Sequence, residues 1–270
     1  MLGAIAGDVI GSVHESAGTK TKAFPLFTPW SCFTDDTVLT VALAQTLLTG
    51  EDYGRSMKEY YRRYPGAGYG GMFHRWASSD DAAPYQSYGN GAAMRISPVA
   101  FWYETLDEVL DAACRFTAVT HSHPEGIKGA QAAATAAFLA RQGESKEAIR
   151  GQVQRRFGYD LSFTCDDIRP TYVFDVTCQG TVPQAIVAFL DSTGFEDAIR
   201  NAISLGGDAD TLACICGGVA EAFYGGVPED IAAQTLGALD LSLLSVVEEF
   251  SARVHRNARK AGELGDGGDG

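Results

Sequence analysis

Apolar residues along this chain fall in helical runs separated by Gly and Pro, and strict apolar–polar alternation is almost absent. Gly3, Gly7 and Gly11 recur every four residues with Ile5, Val9 and Ile10 between them. On a helix this makes a stripe of small residues that permits close packing. Residues 16–31 read as a loop holding Pro25 and Pro29. Helices are predicted over 37–48, ended by Gly50, and over 51–64, ended by Pro65. Glycine-rich loops follow at 66–71 and 87–91, the second leading into a short helix through Met94. Thr105 and Glu108 carry a capping-box pattern for a helix to 119. An Ala-rich helix is predicted over 125–141 and another over 146–157, ended by Gly158. Residues 159–180 read as irregular, with a short extended piece at 172–176, and Thr181 with Pro183 opens a helix to 190. Helices over 196–205, 212–224 and 241–259 follow, and 263–270 reads as a disordered tail. The predicted fold is all-α, one domain over 1–262, with no internal repeat or linker.

Polar residues interrupt this pattern most sharply at Gly206-Gly207-Asp208-Ala209-Asp210-Thr211, where two glycines precede two carboxylates and a hydroxyl. The glycines stop one helix, and the carboxylates open the next, where anionic and capping groups are favoured. Alone, this is equally well an ordinary N-cap with a spare Asp. Phe33-Thr34-Asp35-Asp36-Thr37 repeats the chemistry far upstream, again ahead of an apolar run. Like carboxylates brought together repel, and a hard divalent cation with oxygen ligands is the usual remedy. Neither cluster has an adjacent His or Cys, which argues against zinc, copper or iron. The two clusters therefore read as halves of one magnesium or manganese site, expected to be binuclear.

Composition narrows the alternatives. The 270 residues, 46% of them hydrophobic, are enough for a sizeable core. A net charge of −13 with no basic block argues against a nucleic-acid surface. Cys32, Cys114, Cys165, Cys178, Cys214 and Cys216 form no paired zinc pattern, and Cys214 and Cys216 read as small core residues within an apolar helix. The apolar stretch 2–13 lacks a basic leader and contains Asp8, so it does not read as a signal peptide, and no run is long enough for a membrane span. A reducing cytoplasm is the expected compartment.

Five segments carry a resemblance: GAIAGDVIGS at 3–12 with Glu15, Thr34-Asp35-Asp36-Thr37, Ser87-Tyr88-Gly89-Asn90-Gly91 with Met94-Arg95, Thr120-His121, and Gly207-Asp208 with Asp210-Thr211. In this order they resemble the ADP-ribosylglycohydrolase family over nearly the whole chain. The resemblance implies an all-α fold with two divalent cations, Mg2+ or Mn2+. It implies that Thr34, Asp35 and Asp36 hold one metal, that Asp208, Thr211 and Glu15 hold the other, and that Asp210 bridges. Without it, Glu15 reads as a solvated helix end.

The glycine loops supply backbone N–H groups for an ADP-ribose diphosphate, with Gly68, Gly70, Gly71, Ser87, Gly89, Asn90 and Gly91 as candidates. Each reads equally well as loop punctuation. Tyr88 reads either as an adenine stack or as a packed Tyr. The resemblance gives His121 a substrate contact, against a capping role, while His74 and His123 read as structural. The expected activity is hydrolysis at C1 of the distal ribose of an ADP-ribosylated protein or small molecule, releasing ADP-ribose. Glu15 or Asp36 would activate water or protonate the leaving group. Two alternatives stand beside it: a hydrolase of another phosphorylated small molecule, and a non-catalytic ADP-ribose binder or structural relative. The 87–91 run is closer to the serine-linkage branch of the family, and no linkage is assigned.

Overall fold

The computed structural model describes residues 1–80 and 83–265, with side chains as far as residue 257. In chain order the helices are α1 (Leu2–Gly11), α2 (Asp35–Thr49), α3 (Tyr53–Arg63), α4 (Gly71–Ser78), α5 (Gly91–Met94), α6 (Ser97–Trp102), α7 (Leu106–Ala118) and α8 (Pro124–Arg141). They continue with α9 (Lys146–Phe157), α10 (Cys165–Ile168), α11 (Cys178–Leu190), α12 (Phe195–Ser204), α13 (Ala209–Tyr224), α14 (Glu229–Gly237) and α15 (Leu241–Gly265). Among the described residues there is no strand, and the expected all-α architecture is what the chain adopts.

Local signals set most of these ends. Thr105 accepts from the Glu108 N–H at 3.3 Å while the Glu108 carboxylate accepts from the Thr105 N–H at 3.0 Å, closing the capping box of α7. Gly50 and Gly158 terminate α2 and α9 where predicted. The helix expected to open at Thr181 starts earlier, at Cys178, because Thr177 is its cap and accepts from the Gly180 N–H at 3.1 Å. Residues 172–176 form no strand. Thr177 makes a single antiparallel bridge to Gly89, flanked by Asn90 N–H to Val176 O at 2.7 Å and Cys178 N–H to Tyr88 O at 2.9 Å. The short helices α4, α6, α10 and α14 were not legible as separate elements. α15 runs to Gly265, and of the tail read at 263–270, residues 266–270 lie outside the described residues.

The core is centred on α13, whose residues from Ala209 to Ala220 are all buried. α1 crosses it antiparallel: the Met1 ammonium pairs with Glu221 near one end, and Gly11 meets Asp210 at the other. The small-residue stripe makes this approach possible. A Cβ on Gly3 would stand 2.3 Å from the Gly217 carbonyl oxygen, one on Gly7 2.0 Å from that of Ala213, and one on Gly11 2.5 Å from the Asp210 Cα. Larger side chains would therefore hold the two helices apart. Burial of Ile5, Ile10, Leu39 and Leu43 around this crossing contributes about 1.5–3 kcal/mol each. No helix among the described residues is long and apolar enough to cross a membrane. The crossing brings the C-terminal end of α1 beside the N-terminus of α13, and α2 begins against the same place.

Candidate active site

Asp8 joins α1 to the start of α2. It is the one carboxylate inside the apolar helix α1 and is fully buried. One of its oxygens accepts from the Thr34 hydroxyl at 2.7 Å; the other accepts from the Thr34 N–H at 2.9 Å, the Thr37 N–H at 3.0 Å and the Thr37 hydroxyl. Asp8 thus fixes the first turn of α2, where Thr34 in turn accepts from the Asp36 N–H at 3.3 Å. Sequence reasoning missed it as a site residue. The available signal was a lone carboxylate amid apolar neighbours with no basic residue one turn away.

The second cluster does not behave as an ordinary cap. Gly206 has φ +59°, and a Cβ there would stand 2.9 Å from the Thr19 carbonyl oxygen, so the backbone turns as only glycine readily allows. Asp208 then occupies the N-cap position of α13 but makes no side-chain cap hydrogen bond. Its carboxylate instead accepts from the side-chain amide of Asn90 at 2.7 Å, and the same amide nitrogen donates to the Thr181 hydroxyl at 3.2 Å. Asn90, expected to offer only backbone to substrate, is therefore a strut between the 87–91 loop and the acidic cluster.

The fold brings the two clusters together. Ligand atoms of Glu15, Asp208 and Asp210 lie within 4.8 Å of one another, and the Thr211 hydroxyl reaches Asp36 at 3.4 Å. Glu15 is exposed, Asp35 half-buried, and Asp36, Asp208 and Asp210 buried. Burial pushes the Asp36 carboxyl well above the usual carboxylate range, with Asp210, Asp8 and Asp35 adding like charge. Burial and then Asp208 do the same to Asp210. Asp35 is raised to about 8, mainly by burial and then by Asp8 and Asp208. Glu15 is raised by burial, Asp208 and Asp8. One oxygen of Asp36 is buried with no hydrogen-bond partner. An unpartnered buried carboxylate oxygen amid converging carboxylates and threonine hydroxyls fits a hard divalent cation.

These residues line a cleft of about 440 Å3, with Glu15, Thr34, Asp35, Asp36, Asp208, Asp210 and Thr211 on its acidic wall. Gly68, Gly70 and Gly71 form a second side, and Ser87, Gly89, Asn90, Gly91 and His121 a third. Tyr88 is not in the lining: it is half exposed, with its ring 5.1 Å from that of His123. Phe174 and Val176, unanticipated from sequence, bring the stretch between α10 and α11 to the cleft. Arg95 is the one Lys or Arg in the lining.

His123 caps α8, accepting from the Glu125 N–H at 3.1 Å, and His74 contacts the Tyr61 hydroxyl at 2.7 Å, both structural as expected. Cys216 is buried core, its thiol donating to the Ala198 carbonyl at 3.4 Å. Cys214 is equally buried, donating to the Met94 carbonyl at 3.2 Å, but it also borders the site: after burial, the charges of Asp36, Asp8 and Asp210 push its thiol well up.

Comparison with known proteins identifies the family. The ADP-ribosylglycohydrolase family profile matches residues 1–262. ADP-ribosylhydrolase ARH3 of Bos taurus is 28% identical, over 83% of this chain and 84% of its own length. ADP-ribosylarginine hydrolase Tri1 of Pseudomonas putida (strain GB-1) is 25% identical, over 85% and 71%. A solved structure described as an ADP-ribosylglycohydrolase-related protein complex superposes with a TM-score of 0.65 at 26% identity, covering 91% of this chain and 94% of that one. The match over residues 1–262 shows that the chain belongs to the ADP-ribosylglycohydrolase family.

Proposed function

We propose that the protein is a metal-dependent hydrolase that cleaves the glycosidic bond between ADP-ribose and a modified protein side chain or small molecule, releasing ADP-ribose. The observation that carries this reading is the convergence of Glu15, Asp208 and Asp210 with Asp36 and Thr211 on one cleft that two glycine loops also line. Thr34, Asp35 and Asp36 would hold one divalent cation, Mg2+ or Mn2+, and Glu15, Asp208 and Thr211 a second, with Asp210 between them. Bound there, the cations supply Lewis-acid stabilisation of charge beside the ribose C1.

The chain's own groups account for the rest. Glu15 is exposed at the cleft with its carboxyl raised, so it is suited to take a proton from water or give one to the leaving group. Asp36, buried and fixed by Thr34 and Thr211, is suited to hold position. An anionic diphosphate meets a wall of carboxylates here, so its binding falls to His121 and to backbone N–H groups of the 68–71 and 87–91 loops other than those of Gly89 and Asn90, which donate to the Ser87 hydroxyl and the Val176 carbonyl. The names of the relatives cover arginine linkage in one case and leave linkage open in the other, and both linkages are open for this chain. The test is incubation of the metal-loaded protein with arginine- and serine-linked ADP-ribosyl peptides, followed by identification of products. Free ADP-ribose and unmodified peptide from at least one of them is the expected result. Release from neither, by folded protein, contradicts the reading.

A further inference from the structure

Arg95 carries a charge in an unusual place. It is 1% exposed, yet among the described residues it makes no ion pair. Its Nη1 is buried without a hydrogen-bond partner, and the guanidinium carbon lies 5.9 Å from the centre of the Tyr53 ring. Burying a guanidinium without an ion pair carries a desolvation cost, and beyond its hydrogen bonds the Arg95 charge acts on the Asp35 carboxyl, opposing the rise that burial causes there. It is not an open anion hook, because Nη1 does not reach solvent.

Its second terminal nitrogen, Nη2, meets Thr120 and the His121 ring. Nη2 donates to the Thr120 hydroxyl at 2.5 Å and lies 3.2 Å from Nδ1 of His121, while the Thr120 hydroxyl lies 2.8 Å from the same Nδ1. A guanidinium only donates, so a protonated Nδ1 would face an N–H donor. Nδ1 is therefore the acceptor, and the proton of the neutral ring sits on Nε2. The backbone N–H of His121 donates to the Thr117 carbonyl at 2.9 Å, and the ring, held at Nδ1 by Thr120 and Arg95, packs edge-on to Tyr85 with centroids 5.7 Å apart. Nε2 has no partner among the described residues. It lies 3.2 Å from where a Cβ on Gly91 would stand and 3.6 Å from one on Gly89, facing the loop of the cleft. Burial and the Arg95 charge hold the ring's pKa well below the ordinary histidine value, consistent with a neutral imidazole.

We propose that Arg95 is a positioning residue that fixes His121 as a neutral Nε2–H donor, aimed between Gly89 and Gly91 at an oxygen of the bound ADP-ribose. The tautomer stands on this chain's own hydrogen bonds, and only the identity of the oxygen rests on the function proposed above. The arrangement gives an acidic cleft a hydrogen-bond donor that adds no charge of its own next to the metal carboxylates.

The experiment is nitrogen-15 NMR of the histidine rings in the full-length protein at neutral pH, with His121→Gln used to assign the His121 signal, alongside ADP-ribose binding by calorimetry. Wild type should show one His121 tautomer, with a pyrrole-type Nε2 and a pyridine-type Nδ1. A protonated Nδ1, in either tautomer or imidazolium, overturns the proposal. Arg95→Met should lose the single tautomer and bind ADP-ribose about tenfold more weakly, as for one lost hydrogen bond. Arg95→Lys should recover both. Thr120→Val removes only the hydroxyl, keeps Arg95 on Nδ1 and should retain the Nε2–H form. Should Arg95→Met fail to fold, this variant decides the matter, because loss of the tautomer in it assigns control to Thr120 and overturns the proposal. An unchanged tautomer in Arg95→Met overturns it as well. A correct wild-type tautomer in a protein that binds no ADP-ribose removes the function reading and leaves the role of Arg95 standing.

Discussion

Asn90 donates its side-chain amide to Asp208 across 118 positions of sequence, at 2.7 Å, and so ties the 87–91 loop to an acidic cluster. The bond fixes which carboxylate oxygen of Asp208 remains free. Partners of this kind set ligand orientation, and their loss typically costs about 10–100-fold in metal affinity or activity. Asn90→Ala should lower metal affinity by that order while circular dichroism is unchanged. Wild-type affinity in the variant would separate the loop from the cluster.

Asp36 and Asp210 lie at the centre of the site, buried and held by Thr34 and Thr211. Asp36→Asn and Asp210→Asn keep shape and remove charge. Each should lower kcat by about a hundredfold or more, the usual cost of one group that stabilises developing charge. Steady-state release of ADP-ribose is the readout, and near-native turnover in either variant removes that residue from its assigned role.

Gly7 lies where α1 comes closest to α13, with backbone on the far side of the contact. A flexible side chain would move aside, but a carbonyl oxygen 2.0 Å from the new Cβ cannot. Gly7→Ala should destabilise the protein by about 1–3 kcal/mol through overpacking. It should also weaken metal binding, since Asp8 and Asp210 ride on the two helices forced apart. A denaturation midpoint equal to wild type would show that the crossing is looser than described.

The carboxyls of Asp8, Asp35, Asp36 and Asp210 are all raised in the folded protein, Asp35 to about 8. In the unfolded chain they ionise near the ordinary value of 3.8. Between those limits the folded state holds more protons, so stability is fully present below about pH 4 and falls as pH rises through about 8. Metal demands ionised ligands and reverses the trend. Melting temperature of metal-stripped protein should fall from about pH 5 to 8 and that of the loaded protein should not. Parallel curves would contradict the coupling of metal to these carboxyls.

Much of this site was legible because its chemistry is local. Thr34-Asp35-Asp36 and Asp208-Ala209-Asp210-Thr211 declare themselves by packing carboxylates at helix starts, and the glycine stripe of α1 declares a close crossing. What was not legible depends on long-range contact. Asp8 looked like an interruption in an apolar helix, because its donors, Thr34 and Thr37, come from another helix. Asn90 looked like loop backbone, because its partner, Asp208, lies far along the chain at the N-cap of α13. Tyr88 follows a serine and precedes a glycine of the cleft, yet its side chain turns out toward His123. The start of α11 was misplaced because Pro183 is a strong local signal, whereas Thr177 caps through a bond that spacing alone does not rank.

The central claim is that two clusters far apart in sequence make one metal site. The most direct test is a thermal melt of metal-stripped protein titrated with magnesium or manganese. Metal that binds only the folded state stabilises it by RT ln(1 + [L]/Kd), about 2.7 kcal/mol at a hundredfold excess over Kd. For a domain of this size the melting temperature should rise by about 5–10 °C and then saturate. The rise should vanish in the Asp208→Asn, Asp210→Asn double variant. A flat titration, or an equal shift in the double variant, would contradict the claim.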